Sequence, residues 1–312
     1  MNIARSNFPE STPIQTIASS TANKLWIKRD DLYPLSFGGN KARKGRLFFE
    51  EIIAQGADWV LSYGSSSSNH CRVVANLACM HDLPCTIISP AETLKQTANR
   101  RMVTLMGAQY IFCPVTEVAA TIDRAMADLR AQGKNPYFIQ GGGHGDIGTR
   151  AYVEAYDEIL AWERANDLHF DYIFFASGTG TTHAGLVCGQ VLNGVRDQRI
   201  VGVSIARPNP RGKQVVIDSI NSYLKTDCAN HDNVEFIDKY IGGGYGAAPE
   251  AILGLIRREL LTNGVPLDTT YTGKAFYGME QYLLENNITG KNILFIHTGG
   301  TPLFFDDLEH VK

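Results

Sequence analysis

The 312-residue chain has no surplus of positive charge: 29 Lys and Arg against 32 Asp and Glu leave a formal net charge of −3. A binder of nucleic acid or of an acidic membrane would show a basic excess or cluster, so neither partner is expected. Long apolar runs are missing as well. The longest stretch free of acidic and basic side chains, 172–195, is broken by Gly, Thr, Ser, Asn and His, whereas a spanning helix needs ~20 mostly apolar residues. The first twenty residues contain no apolar segment of the kind an export signal carries, and a cytoplasmic chain is expected. Cysteine is sparse. Cys71, Cys79, Cys85, Cys113, Cys188 and Cys228 form no C-x-x-C pair and no zinc-ligand spacing. They are expected as reduced thiols, several of them small core hydrophobes, with no metal site. No repeat and no low-complexity linker stands out. With 44% hydrophobic and 20% charged residues the chain is an ordinary globular one, and its length suggests about two domains.

What is present is alternation. Short β-rich apolar runs fall at 24–28, 59–63, 85–89, 109–113, 137–140, 172–177, 200–206, 234–238 and 292–298. Helix-like segments lie near 40–55, 69–82, 92–106, 116–132, 148–166, 182–194, 211–225, 248–262 and 274–287. Most runs are continuously apolar, as in strands covered on both faces. The alternation predicts βαβ units and an α/β fold with mainly parallel pairing. Glycine-rich segments follow predicted strands at 64–68, 141–145, 177–180, 242–246 and 299–300. Ligands of open α/β sheets bind beyond the carboxyl ends of strands, where these segments lie.

Ser177-Gly178-Thr179-Gly180-Thr181-Thr182-His183 sits between a buried-type strand and a helix. Its N–H groups and hydroxyls suit a phosphate at a helix N-terminus. The dinucleotide fingerprint is excluded: His183 stands at the third glycine position, and the next strand ends in Ala206-Arg207 without an acidic ribose partner. No Walker A sequence occurs either. One phosphate group is expected, set against the plainer reading of a polar turn. In Gly38-Gly39-Asn40-Lys41-Ala42-Arg43-Lys44, the cations Lys41, Arg43, Lys44 and Arg46 crowd the start of a predicted helix, where the helix dipole disfavours them. One reason to accept that cost is an amine that must be neutral. Nearby cations and the positive helix end both lower a lysine pKa, and a neutral amine condenses with an aldehyde cofactor. The alternative is a solvated basic turn.

Lys28-Arg29-Asp30-Asp31, GGNKARK at 38–44, SNHCR at 68–72, SGTGTTHAG at 177–185, GGYG at 243–246, YTGKA at 271–275 and IHTGG at 296–300 occur in order over nearly the whole chain. Together they resemble the 1-aminocyclopropane-1-carboxylate (ACC) deaminase / D-cysteine desulfhydrase family of pyridoxal 5′-phosphate (PLP) enzymes, of the tryptophan-synthase-β fold type. The resemblance implies two open twisted, mainly parallel sheets flanked by helices. It implies a large PLP-binding domain of residues 1–45 and 149–312, a small domain of 46–148, and PLP in the cleft between them. A homodimer is implied too. Lys41 would hold PLP and move the substrate α-proton. Gly178, Thr179, Gly180, Thr181 and Thr182 would bind its phosphate, and Asn69 its 3′-oxygen. Ser68, with the N–H groups of Asn69 and His70, would hold the substrate carboxylate, and Ser68 would also serve proton transfer. Tyr245 and Tyr271 would flank the substrate. His70 and His183 also suit plain helix caps, and His297 a satisfied core histidine.

The residue facing the PLP ring nitrogen sets how strong an electron sink the cofactor is: a carboxylate keeps the ring protonated, a hydroxyl less so. The corresponding positions here are Thr272 and Thr298. ACC deaminases resemble this chain but place Glu and Leu there, whereas D-cysteine desulfhydrases carry Thr at both. Loss of thiolate needs less carbanion stabilisation than opening a cyclopropane. The expectation is therefore α,β-elimination from D-cysteine to pyruvate, ammonia and sulfide. ACC deamination to 2-oxobutyrate and ammonia, a β-lyase or β-replacement reaction on another amino acid, and a PLP-binding regulatory protein without turnover are the alternatives. Three segments depart from the family pattern: Ser65-Ser66-Ser67, Gly143-His144 and Asp268-Thr269-Thr270. The first two lie in loops expected near cofactor or substrate.

Overall fold

A computed structural model describes residues 11–230, 233–244 and 246–311. Two sheets form. The larger takes the order β1-β2-β10-β7-β8-β9 from β1 (Ile14–Ile17), β2 (Lys24–Lys28), β7 (Tyr172–Ser177), β8 (Arg199–Ser204), β9 (Glu235–Ile237) and β10 (Asn292–Ile296). The smaller takes β5-β4-β3-β6 from β3 (Trp59–Tyr63), β4 (Cys85–Pro90), β5 (Gln109–Cys113) and β6 (Pro136–Ile139). All neighbours pair in parallel except β1, which runs antiparallel to β2. Parallel strands need helices over their faces. These are α1 (Asn40–Ala54), α2 (Asn69–Met80), α3 (Ala98–Leu105), α4 (Val118–Ala131), α5 (Asp146–Asn166), α6 (Thr181–Leu192), α7 (Arg211–Leu224), α8 (Glu250–Asn263), α9 (Thr272–Glu285) and α10 (Thr301–Asp306).

Every apolar run read from the sequence is a strand, and every helical segment contains a helix. One boundary moved far. The segment 92–106 is a helix only from Ala98, because Ser66 holds what precedes it: its hydroxyl accepts from Lys95 N–H at 3.0 Å, and its carbonyl accepts from the Thr97 hydroxyl at 3.1 Å. Thr97 then caps α3 by accepting from Arg100 N–H at 3.2 Å. β1 and α10 are additions. β1 is a four-residue edge strand with two exposed positions, and α10 has only six residues.

Each sheet has its own apolar core. Ile27, Phe174, Val203 and Phe295 are buried with Phe276 and Met279 of α9 on one face of the large sheet; Ile173, Phe175, Leu294 and Ile296 pack with Tyr152 and Tyr156 of α5 on the other. Val60 and Ile87 of the small sheet are buried with Phe49 and Ile52 of α1 and Val74 of α2. α1 also packs on α5. It therefore ties the two sheets together, and its first turn lies where they meet.

Candidate active site

The carboxyl ends of β7, β8 and β10, the start of α1 and the β3–α2 turn converge on a cavity of about 360 Å³, within the range of small-molecule sites. Gly39 lets α1 begin there. It has φ +88°, and a Cβ on it would stand 2.6 Å from the Thr298 carbonyl oxygen, so only glycine fits. The next N–H, of Asn40, donates to that same carbonyl at 2.9 Å. This contact delivers Lys41 to the cavity wall.

Lys41 Nζ donates to the Gly142 carbonyl at 2.9 Å and meets no carboxylate among the described residues. Burial pushes its pKa down to about 8; Cys71 opposes this and Arg207 adds to it. Desolvation, more than the neighbouring cations of α1, is thus what lowers it. Lys44, one turn on, is fully buried. Its Nζ donates to Thr181 Oγ1 at 2.7 Å and lies 5.9 Å from the Tyr152 ring centre. Burial, then the charge of Lys41, holds its amine well below the usual lysine range.

Gly178, Thr179, Gly180 and Thr182 line the cavity. Thr181 lies behind it under Lys44. Thr182 Oγ1 accepts from Asn40 Nδ2 at 3.0 Å. Gly180, at φ +98°, opens α6 without a side-chain cap, which leaves the first N–H groups of the helix for a ligand. A buried amine without a counter-ion, two threonine hydroxyls and an uncapped helix start form a donor set with no anion of its own. That set fits a phosphate.

Ser68, Asn69, His70 and Tyr271 also line the cavity. Ser68 caps α2: its Oγ accepts from His70 N–H at 3.2 Å and Cys71 N–H at 3.3 Å. Its own proton is thereby free to point elsewhere, while His70 N–H is already engaged. Asn69 is fixed by two donors. Its Oδ1 accepts from Arg72 Nη1 at 2.6 Å and from Asn99 Nδ2 at 3.0 Å, so its amide N–H groups are left for the cavity. His70 Nε2 lies 2.8 Å from Ser62 Oγ, which itself donates to the Ile139 carbonyl at 2.8 Å. The imidazole proton is therefore on Nε2. Burial, then Lys41 and Lys44, hold the ring neutral.

Thr298 lines the cavity and Thr272 does not. Thr272 Oγ1 donates to Asp268 Oδ2 at 2.7 Å, and the same carboxylate accepts from the N–H groups of Thr270, Tyr271 and Thr272. Asp268 thus shapes the turn that presents Tyr271. Tyr245 lies outside the described residues. His183 is buried between Phe175 and Phe236, away from the cavity, and burial pushes its pKa down to about 3. His297 is a satisfied core residue, with Nε2 3.0 Å from the Pro266 carbonyl and Nδ1 accepting from Gly299 N–H at 3.3 Å.

Of the three departures, only the first reaches the cavity, through Ser65; Ser66 and Ser67 serve the α3 turn. His144 Nδ1 lies 3.2 Å from the Thr179 carbonyl, beneath the Ser177–Thr182 loop. Sequence reasoning missed Asn40, Tyr63 and Arg207 on the wall, and Lys44, Arg72 and Asn99 behind it. The GGNKARK and SNHCR motifs contained signals for three of these: Asn40 beside Lys41, Lys44 three residues after Lys41, Arg72 three after Asn69. Tyr63 and Arg207 reach the cavity, and Asn99 reaches Asn69 behind it, from separate segments, and these three gave none.

An α/β fold with two mainly parallel sheets, a desolvated lysine and a glycine–threonine loop at an uncapped helix N-terminus defines a class, and comparison with known proteins gives it a name. The chain belongs to the pyridoxal-phosphate dependent enzyme family, whose profile matches residues 6–299. Within that family it is 31% identical over 313 residues to the D-cysteine desulfhydrase of Salmonella choleraesuis (strain SC-B67), covering 96% of this chain and 94% of that protein. It is also 31% identical over 308 residues to a putative ACC deaminase of Pyrococcus abyssi (strain GE5 / Orsay), covering 96% and 92%. The crystal structure of an ACC deaminase homologue superposes with a TM-score of 0.87 at 31% identity, over 97% of this chain and 93% of that one. Cysteine synthase from Entamoeba histolytica, at 16% identity and a TM-score of 0.68 over 96% and 88%, shares the fold. The protein is a PLP-dependent lyase of this fold type.

Proposed function

We propose that the protein catalyses α,β-elimination from a small β-substituted amino acid, D-cysteine to pyruvate, ammonia and sulfide being the best-supported reaction. One observation carries the choice over ACC deamination: among the described residues no carboxylate lines the cavity, and Thr298 supplies a hydroxyl on its wall. PLP, when bound, supplies an electron sink for negative charge developing at the substrate Cα. A hydroxyl partner leaves that sink modest, which suffices for a good leaving group.

In this reading Lys41 carries the cofactor aldehyde and, as a free amine, takes the Cα proton. Its pKa of about 8 makes that amine available near neutral pH. Gly178, Thr179, Gly180 and Thr182 hold the phosphate, with Thr181 and Lys44 behind them. Asn69, held by Arg72 and Asn99, donates to the cofactor 3′-oxygen. Ser68 and Asn69 orient the substrate carboxylate. Tyr271, on the cavity wall, would flank the substrate, and the family resemblance gives Tyr245 the same role. The two sheets support a division into 1–45 with 149–312 and 46–148. The family resemblance supports a homodimer, and six unpaired cysteines suit a reducing, cytoplasmic compartment.

The test is product analysis. PLP-loaded protein is incubated separately with D-cysteine, L-cysteine and ACC. Pyruvate with sulfide from D-cysteine is expected; 2-oxobutyrate from ACC would overturn the threonine argument. A Thr298→Glu variant sharpens the test, because Thr272 is tied to Asp268. Glutamate at 298 is expected to shift the D-cysteine/ACC preference toward ACC.

A further inference from the structure

Arg72 stands in the first turn of α2, behind Asn69, and is 1% exposed. Its Nη1 donates to Asn69 Oδ1 at 2.6 Å and to Asn99 Oδ1 at 2.7 Å. Nη2 donates to the Ser36 carbonyl at 2.9 Å and Nε to Ser36 Oγ at 3.3 Å. The guanidinium lies 5.7 Å from the Phe37 ring centre. Each of these acceptors is neutral. Arg43, by contrast, meets the carboxylates of Asp30 and Glu158. No acid pairs with Arg72 among the described residues. Burial pushes its pKa down to about 10, with Tyr271 opposing, so the guanidinium stays charged at neutral pH.

A buried charge without a counter-ion is costly, and here only dipoles offset the cost. Those dipoles turn their oxygens toward Arg72. Asn69 then has its N–H groups on the cavity side. Asn99 enforces the same orientation: its Nδ2 donates to Asn69 Oδ1 at 3.0 Å and to the Ser67 carbonyl at 2.8 Å, so Asn69 Oδ1 faces two donors. A cation against one end of a buried amide polarises it and strengthens the donor at the other end. The cavity corner at Asn69 is therefore electropositive, although the charge itself is out of sight. We infer that Arg72 is a positioning residue for the cofactor: acting through Asn69, it makes this corner select an anionic ring oxygen. This rests on the proposed placement of the cofactor 3′-oxygen at Asn69 and names the group that tunes that contact.

Arg72 has a second, mechanical effect. Ser36 and Phe37 have φ of +47° and +58°, a region that side chains disfavour. That turn runs through Gly38 and Gly39 into Lys41. By holding Ser36, Arg72 braces the turn that leads into α1. A brace serves every ligand of the cavity alike, whereas the charge favours only an anionic oxygen at Asn69.

The test separates the two. Calorimetry on the apoprotein gives Kd for pyridoxine 5′-phosphate and for its 3-deoxy analogue. Neither has an aldehyde, so neither bonds to Lys41, and the ratio of the two isolates the 3-oxygen. The wild type is expected to prefer the parent compound at least ~20-fold. Arg72→Met should reduce the preference to under ~4-fold. Arg72→Lys keeps the charge without the fork and should fall between, which decides the question where the methionine variant does not fold. Asn69→Ala should lose the preference, and adding Arg72→Met to it should change the ratio no further, because the effect runs through Asn69. A ratio within ~2-fold of wild type in the folded Arg72 variants would reduce Arg72 to a brace and overturn the inference. A further loss of preference in the double variant would overturn it too. Equal binding of both compounds by the wild type would sink the placement of the 3′-oxygen at Asn69 and the inference with it. An intact, Arg72-dependent ratio found without pyruvate from D-cysteine would leave the inference standing and sink the elimination reading alone.

Discussion

The four cations that open α1 meet two different surroundings. Arg43 is buried and paired: its guanidinium lies 3.0 Å from Asp30 and 2.5 Å from Glu158, and Lys28 joins the same acids at 2.6 Å from Glu158. Thr12 and Tyr152 hydroxyls complete the hydrogen bonding of Asp30 at 2.6 and 2.7 Å. Burial alone would push the Asp30 carboxyl up, but Arg43 and Lys28 hold it below the usual range. Lys41, on the cavity wall, and Lys44, behind it, meet no acid among the described residues. Arg46, at the edge, pairs with Glu50 and Glu154. One cluster is scaffold: its charges cancel within the protein, and removing one strands the rest. The other is the proposed site: its amines meet no acid among the described residues, and burial shifts them toward the neutral form.

The comparison predicts opposite consequences for neighbouring residues. Lys41→Ala should abolish turnover, by about 10³-fold or more, while the apoprotein melts no lower than wild type; a variant that kept its activity would break the assignment of the site. Asp30→Ala should do the reverse. It strands Arg43 and Lys28 and should cost about 3–5 kcal/mol in denaturant unfolding. A loss under about 1 kcal/mol would show the network to be no scaffold.

Lys44→Met should weaken PLP binding by about 10- to 100-fold, read by absorbance titration of the apoprotein, with apoprotein stability unchanged or raised. Acidity gives a subtler test. With a folded-state pKa of about 8, the neutral fraction of Lys41 rises from about one-tenth at pH 7 to about nine-tenths at pH 9. The rate of PLP capture should rise over that range. Because the folded value lies below the 10.5 of an unperturbed lysine, the unfolded chain binds the additional proton between pH 8 and 10.5. The cost of Lys41 to apoprotein stability is therefore full below pH 8 and fades as the pH rises through that window. Lys41→Met should flatten that part of the stability profile. The smallest effect belongs to Arg46→Gln, on a partly exposed pair, at under about 1 kcal/mol and without change in PLP affinity.

Much of this was legible beforehand. Strands such as Tyr172–Ser177 are continuously apolar because helices cover both faces, and that pattern survives without knowledge of neighbours. β1 and α10 were not legible: four half-exposed residues and a six-residue helix after Gly300 fall below what periodicity resolves. Among residues at the cavity, the loop at 177–182 and Lys41 announced themselves through glycine and charge at helix starts. Thr272 and Thr298 look alike in sequence, yet Asp268 draws the first away from the cavity. The serine run reads as one feature, yet Ser65 faces the cavity while Ser66 organises the start of α3.

The sequence by itself determined the alternating α/β architecture, the crowding of cations at Lys41–Arg46 and the phosphate-type loop, because these depend on neighbours a few positions apart. Only the tertiary structure decided which of those cations are neutralised. Glu158 comes to Arg43 from α5, more than a hundred residues away, and among the described residues nothing acidic pairs with Lys41, Lys44 or Arg207. Whether a buried charge is scaffold or site depends on what long-range packing brings within a few ångströms, where desolvation and Coulomb attraction are both at their strongest.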